Sequence, residues 1–203
     1  MAPPPLLPRA PNPQQILLQV VGVAATSYWL LFAIQLVPDF EHSALAAALS
    51  EQAAQPSSNL AGALFTGALL AGVFEELLFR GVAIAVVLPF RGMTFAIIAS
   101  ALLFGAAHLD AHHAAVATLL GLQLGLLRVV HGLSLAIAAH VANNALAILA
   151  ALPGSQNLFP FTSSGTTPHP ALLVVALGLT CISCAALLQS ARSPESGLPP
   201  AAS

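Results

Sequence analysis

Apolar residues fill six long runs of this chain, and polar ones are confined mostly to the short stretches between them. Residues 16–37 form the first run, of the roughly 20 residues that a helix needs to cross a bilayer. The run is too long for a signal-peptide core and ends without a small-x-small cleavage site, so it reads as an uncleaved first span. Further spans are predicted at 59–88, 93–108, 114–130, 133–152 and 171–189, with turns at Pro89-Phe90-Arg91-Gly92 and at Gly132. Between the first two spans the chain turns polar, and residues 43–54 read there as a short helix lying at the interface. Residues 153–170 form a polar loop. The proline-rich ends, 1–15 and 190–203, read as disordered tails. The fold class expected is therefore all-α: a polytopic transmembrane helical bundle of about six spans, with a four-span core at 59–152.

The third predicted span measures only ~24 Å against a hydrocarbon core of ~30 Å. Residues 109–113 are therefore expected to turn back within the membrane. Irregular backbone at that depth is stable only where it lines a wet or protein-buried cavity.

Composition fixes the class. Of 203 residues, 58% are hydrophobic and only 6% charged, with a mean hydropathy of +0.89, whereas soluble domains carry about 25% charged residues. No basic patch exists to hold a nucleic acid. Lysine is absent and alanine abundant, as in GC-rich bacterial genomes, so an inner (cell) membrane is the expected location. With the N-terminus inside, Arg9, Arg91, Arg128 and Arg192 all fall on the cytoplasmic side. Asp39, Glu41, Glu51 and Asp110 then fall outside, which obeys the positive-inside rule with both termini cytoplasmic. Cys181 and Cys184 sit in an apolar run without polar neighbours and read as small packing residues.

Against this background the stretch Phe74-Glu75-Glu76-Leu77-Leu78-Phe79-Arg80 stands out, because it lies inside a span. A charge near the bilayer centre costs at least ~2.5–3.5 kcal/mol, so ionisable groups there are functional candidates by default. Glu76 and Arg80 are i,i+4 neighbours and are expected to pair. Glu75 points about 100° away and is left for chemistry. Phe104 and His108 share one face of the third span, and His140 and Asn144 one face of the fifth. Glu75, His108, His140 and Asn144 thus have the residue types for an attack by water. A carboxylate with an imidazole can hold and deprotonate the water, while a histidine and an amide can donate to an oxyanion. The same residues offer a second chemistry, with Glu75, His108 and His140 as zinc ligands around an open position. Asp110, His112 and His113 read as an interfacial turn, His42 and His131 as solvated span ends, and Arg128 as a topology determinant.

Glu-Glu-x-x-x-Arg at 75–80, Phe-x-x-x-His at 104–108 and His-x-x-x-Asn at 140–144 resemble the three motifs of the CPBP family. This is the CAAX-protease and bacteriocin-processing (Abi) family, or type II CAAX prenyl endopeptidases. The likeness covers 59–152. It implies an intramembrane endopeptidase acting on a membrane-anchored peptide or protein. Glu75 and His108 would hold the catalytic water, His140 and Asn144 the oxyanion, and Glu76 and Arg80 would shape and charge-balance the site. The metal-free version, with no cofactor, is preferred, since a Glu/His pair needs no zinc to activate water and an amide is a poor zinc ligand. The alternatives are the zinc-dependent hydrolysis, a non-catalytic membrane module for immunity or binding, and a proton path.

Overall fold

The computed structural model describes residues 10–54, 59–152 and 170–192. The tails before residue 10 and after 192, and the polar loop up to residue 169, lie outside the described residues. Within them the chain is helical, without a strand. Helix α1 runs Pro13–Ile34 and α2 Ala44–Ala54. A 47-residue helical run, Leu60–Ala106, follows. It breaks at Gly92, whose φ of 78° is one that only glycine adopts freely. The break separates α3 (60–91) from α4 (93–106). Helices α5 (Ala111–His131), α6 (Leu133–Ala150) and α7 (Pro170–Arg192) complete the chain.

Gly92 reverses the chain. The Ser100 hydroxyl donates to the Phe79 carbonyl at 2.7 Å, and the Phe79 and Phe104 rings lie 5.2 Å apart. In one continuous helix Phe79 would stand about 31 Å from Ser100 and about 37 Å from Phe104. The long apolar run is therefore a hairpin, as the Pro-Phe-Arg-Gly turn predicts, with Pro89 absorbed in the last turn of α3.

Several boundaries differ from the expected ones, each for a local reason. The first helix spans 13–34 rather than 16–37, because Asn12 and Gln15 form a capping box with Pro13 at the first helical position. Helix α5 starts at Ala111 rather than 114, since the Asp110 carboxylate accepts the His113 backbone N–H at 2.8 Å. Helix α7 continues to Arg192, so residues 190–192 of the expected tail are helical and the rest of it lies outside the described residues. His131, expected to be solvated, is buried beside the equally buried turn at Gly132.

Helix α5 is the most buried span and the α3–α4 hairpin the least. Leu120, Leu124 and Leu127 of α5 pack with Val23, Leu135 and Leu187 from α1, α6 and α7. Lipid tails are as apolar as leucine, so close packing and polar contacts, rather than water exclusion, hold such helices together. Two glycines show how close the helices come. A Cβ on Gly72 would lie 2.8 Å from Val141, and one on Gly121 3.0 Å from Arg80 and 3.2 Å from Phe104. A neutral polar cluster ties the peripheral helices: Gln123 donates to the Ser183 hydroxyl at 3.2 Å, which donates to Gln19 at 2.8 Å. At the other end, Asp110 also accepts the Ala44 N–H at 3.1 Å, so one carboxylate caps α5 and pins the start of α2.

Candidate active site

Glu75 and Glu76 lie on an α-helical turn, Ala71–Glu76, between two π-helical stretches, Leu64–Leu70 and Leu77–Ala83. Widened i→i+5 turns re-aim side chains and concentrate at functional sites. The close approach at Gly72 seats this turn against α6, one residue from His140. Arg80 Nη1 forms an ion pair with Glu76 Oε1 at 2.8 Å, and His140 Nδ1 donates to the same oxygen at 2.9 Å. Both members of the Glu76–Arg80 pair have no exposed side-chain surface. Arg80 Nη2 reaches the Gly121 carbonyl at 3.3 Å, and the guanidinium lies 4.4 Å from the centre of the Phe104 ring. The cation therefore rests on a carboxylate, a carbonyl and an aromatic face. The pair is still incompletely satisfied: Glu76 Oε2, Arg80 Nε and Arg80 Nη1 have no hydrogen-bond partner among the described residues.

Glu75 points the other way. Its side chain is 34% exposed, and Oε2 lies 3.5 Å from His140 Nε2. His140 is thus bracketed by the two carboxylates, and its contact with Glu75 is attractive only across a shared proton. Glu75, His108, His140 and Asn144, drawn from α3, the turn after α4, and α6, all line one cavity of about 330 Å³. His108 Nδ1 donates to the Phe104 carbonyl at 2.9 Å. A carbonyl only accepts, so this bond fixes the tautomer and leaves the lone pair on Nε2. The His108 ring is clamped between the edge-on Phe104 ring, at 5.0 Å, and the His113 ring, at 4.1 Å. Asn144 Nδ2 donates to the Gly67 carbonyl at 3.4 Å, and its oxygen accepts from Asn143 at 3.3 Å.

Among the described residues, no three His, Cys, Asp or Glu side chains are grouped to hold a metal ion. In the set Glu75, His108 and His140, His140 Nε2 lies 3.5 Å from Glu75, its would-be co-ligand, and Nδ1 is held by the Glu76 carboxylate.

Three contributors escape sequence reasoning. Asn143 is buried, lines the cavity and holds the Asn144 amide; a second amide inside an apolar helix was the available signal. His113 puts its ring into the cavity, whereas His112 stays at the turn, against Phe40 and the Pro38 carbonyl. Backbone carbonyls such as those of Gly67 and Gly121 carry no side-chain signature at all.

Residues 57–146 match the sequence model of the family described as Rce1-like, type II CAAX prenyl endopeptidase. The match contains all three motifs and agrees with the resemblance that they carry. It leaves out α1, α2 and α7. No match was found among curated proteins, and none among solved structures.

Proposed function

We propose that this multi-pass membrane protein, with an Rce1-like core over residues 57–146, hydrolyses a peptide bond of a membrane-associated substrate without a catalytic metal. The observation that carries the proposal is the splitting of the two glutamates. Glu76 is bound by Arg80 and His140, and Glu75 turns into a cavity that His108 and Asn144 also line.

In this reading Glu75, with the lone pair of His108 Nε2, holds a water and takes its proton as general base. The water oxygen bonds to the scissile carbonyl carbon, and the Asn144 amide and the proton between His140 and Glu75 face the developing oxyanion. The C–N bond then breaks, and the amine leaves with the proton taken from the water. Both termini lie in the cytoplasm on this reading, as the arginine distribution favours.

The test is cleavage of lipidated and hydrophobic-tail peptides by the purified full chain in detergent, with and without a strong zinc chelator. Removing a positioned general base costs typically 10²–10⁴-fold, so Glu75→Gln is expected to lose about that much activity while remaining folded. Chelator is expected to leave the wild-type rate unchanged. Cleavage lost to chelator and restored by zinc overturns the metal-free mechanism. Full activity in Glu75→Gln overturns the assignment of the base.

A further inference from the structure

The cavity combines polar side chains with apolar ones drawn both from the core helices and from α1 and α2. Its polar end is Glu75, His108, His140 and Asn144, all within the matched stretch 57–146. Its apolar lining includes Ala71, Phe104, Val116, Ala117 and Leu120 from within that stretch, and Leu31 of α1 with Leu45 and Ala48 of α2 from outside it. Leu45 is almost fully buried and packs in one cluster with Leu30 and Val116, with Trp29 and Phe40 against it. Helix α2 is held in register at its start by the Asp110 carboxylate on Ala44 N–H, and by the Ser43 hydroxyl on Ala46 N–H at 3.0 Å. The apolar wall is thus a pinned surface, not a loose cover.

Size limits what this wall can face. A volume of about 330 Å³ lies at the lower edge of the ~300–1,000 Å³ typical of small-ligand sites. The same space must also take the scissile amide and a water that itself occupies roughly 30 Å³. What remains suits one apolar side chain beside the reacting carbonyl, with any long lipid anchor left in the bilayer.

We infer that Leu31, Leu45 and Ala48 form a specificity pocket for a single aliphatic or aromatic side chain of the substrate, next to the bond that is cut. The inference rests on the peptidase reading, and it gives the α1–α2 unit a part in substrate selection. One methylene more or less in such a pocket changes selectivity by about 10–200-fold. Leu45→Ala enlarges the pocket and Ala48→Leu narrows it. Ala48 is exposed on α2, so its variant tests the pocket without opening a hole in the core.

The experiment uses the full chain and a set of hydrophobic-tail peptides bearing Ala, Val, Leu or Phe at one position, plus one peptide carrying a long lipid instead. Binding is read from the fluorescence of Trp29, the single tryptophan, in Glu75→Gln protein, and cleavage is read in the active protein. Leu45→Ala is expected to raise the preference for Phe over Val by about tenfold or more, and Ala48→Leu to lower it by a similar factor. Leu31→Ala is expected to act in the same direction as Leu45→Ala. A Phe/Val ratio that ignores all three variants overturns the pocket, as does selectivity that follows lipid length alone. Binding that follows the wall while no peptide is cut keeps the pocket and sinks the peptidase reading. Cleavage with a wall-independent ratio does the reverse.

Discussion

Gln19, Gln123 and Ser183 meet between α1, α5 and α7, while Glu75, Glu76, Arg80 and His140 meet between α3 and α6. Both clusters are polar groups inside an apolar bundle, but they are built differently. The first uses short neutral groups in donor–acceptor sequence, with Thr26 and Thr180 adding a contact at 3.2 Å nearby. It joins packed helix faces and does not line the cavity that holds Glu75. The second uses full charges and presents one glutamate to open space; among the described residues both leave buried atoms without hydrogen bonds, Gln123 Oε1 in the first and Glu76 Oε2, Arg80 Nε and Arg80 Nη1 in the second. A cluster that only joins helices has no use for a surplus carboxylate. The surplus is what marks the second as chemistry.

The sharpest way to break this contrast is to remove Arg80. Taking one partner from a buried ion pair typically costs about 3–5 kcal/mol, because the other charge stays buried and uncompensated. Arg80→Met is expected to lose that much stability in detergent unfolding, since Glu76 keeps only His140. Replacing both, as Glu76→Gln with Arg80→Met, is expected to recover most of the loss, since exchanging a whole buried pair is often near neutral. Cleavage is not expected to recover with it, because His140 loses the carboxylate that orients it. An Arg80→Met protein as stable as wild type would place the quartet with the structural cluster and undo the comparison.

The charged cluster was legible in the sequence and the neutral one was not, for a physical reason. Glu75, Glu76, Arg80 and the two histidines are conspicuous because an apolar run tolerates such groups only for cause. Their order on successive helices also brings in the family pattern, and the Rce1-like match covers that same region. Gln19 and Ser183 are ordinary residues whose meaning lies in which helices meet, 164 positions apart in the chain. Helix count and the hairpin at Gly92 were readable from apolar run length and one glycine. Helix starts were not, because Asn12 and Asp110 act through single side-chain-to-backbone bonds that a hydropathy pattern does not register. Asp110 carried the further surprise. Read as part of a simple turn, it proves to join two helices that the cavity depends on.

A middle-sized effect is expected there, and it sharpens the comparison by adding a charged group with a purely structural task. The His113 backbone N–H is the main cause holding the Asp110 carboxyl below its ordinary value of 3.8, with the Ala44 N–H adding to it. A carboxyl lowered in the folded state stabilises the fold fully above its ordinary range, and that contribution fades as pH falls through the lowered value. Asp110→Ala is expected to cost about 0.5–2 kcal/mol, the usual range for a lost N-cap, with the difference from wild type vanishing in strong acid. Unfolding midpoints measured from neutral pH down to below pH 3.8 check it. A difference that persists unchanged at the acid end contradicts a role through the ionised carboxylate.

The smallest effect falls on the neutral cluster, and its smallness is the point. Ser183→Ala removes the hydroxyl linking Gln123 to Gln19 but leaves the α1–α7 contact at Gly22 intact. Interhelical hydrogen bonds of this kind average about 0.6 kcal/mol in membrane bundles and reach about 1.7 at most. The variant is expected to lose stability within that range and to cleave peptides at the wild-type rate, since no part of the cluster lines the cavity. A Ser183→Ala protein that folds normally but cleaves tenfold more slowly would mean the peripheral helices set the geometry of the site across α5. The boundary between glue and chemistry drawn from charge and cavity would then be in the wrong place.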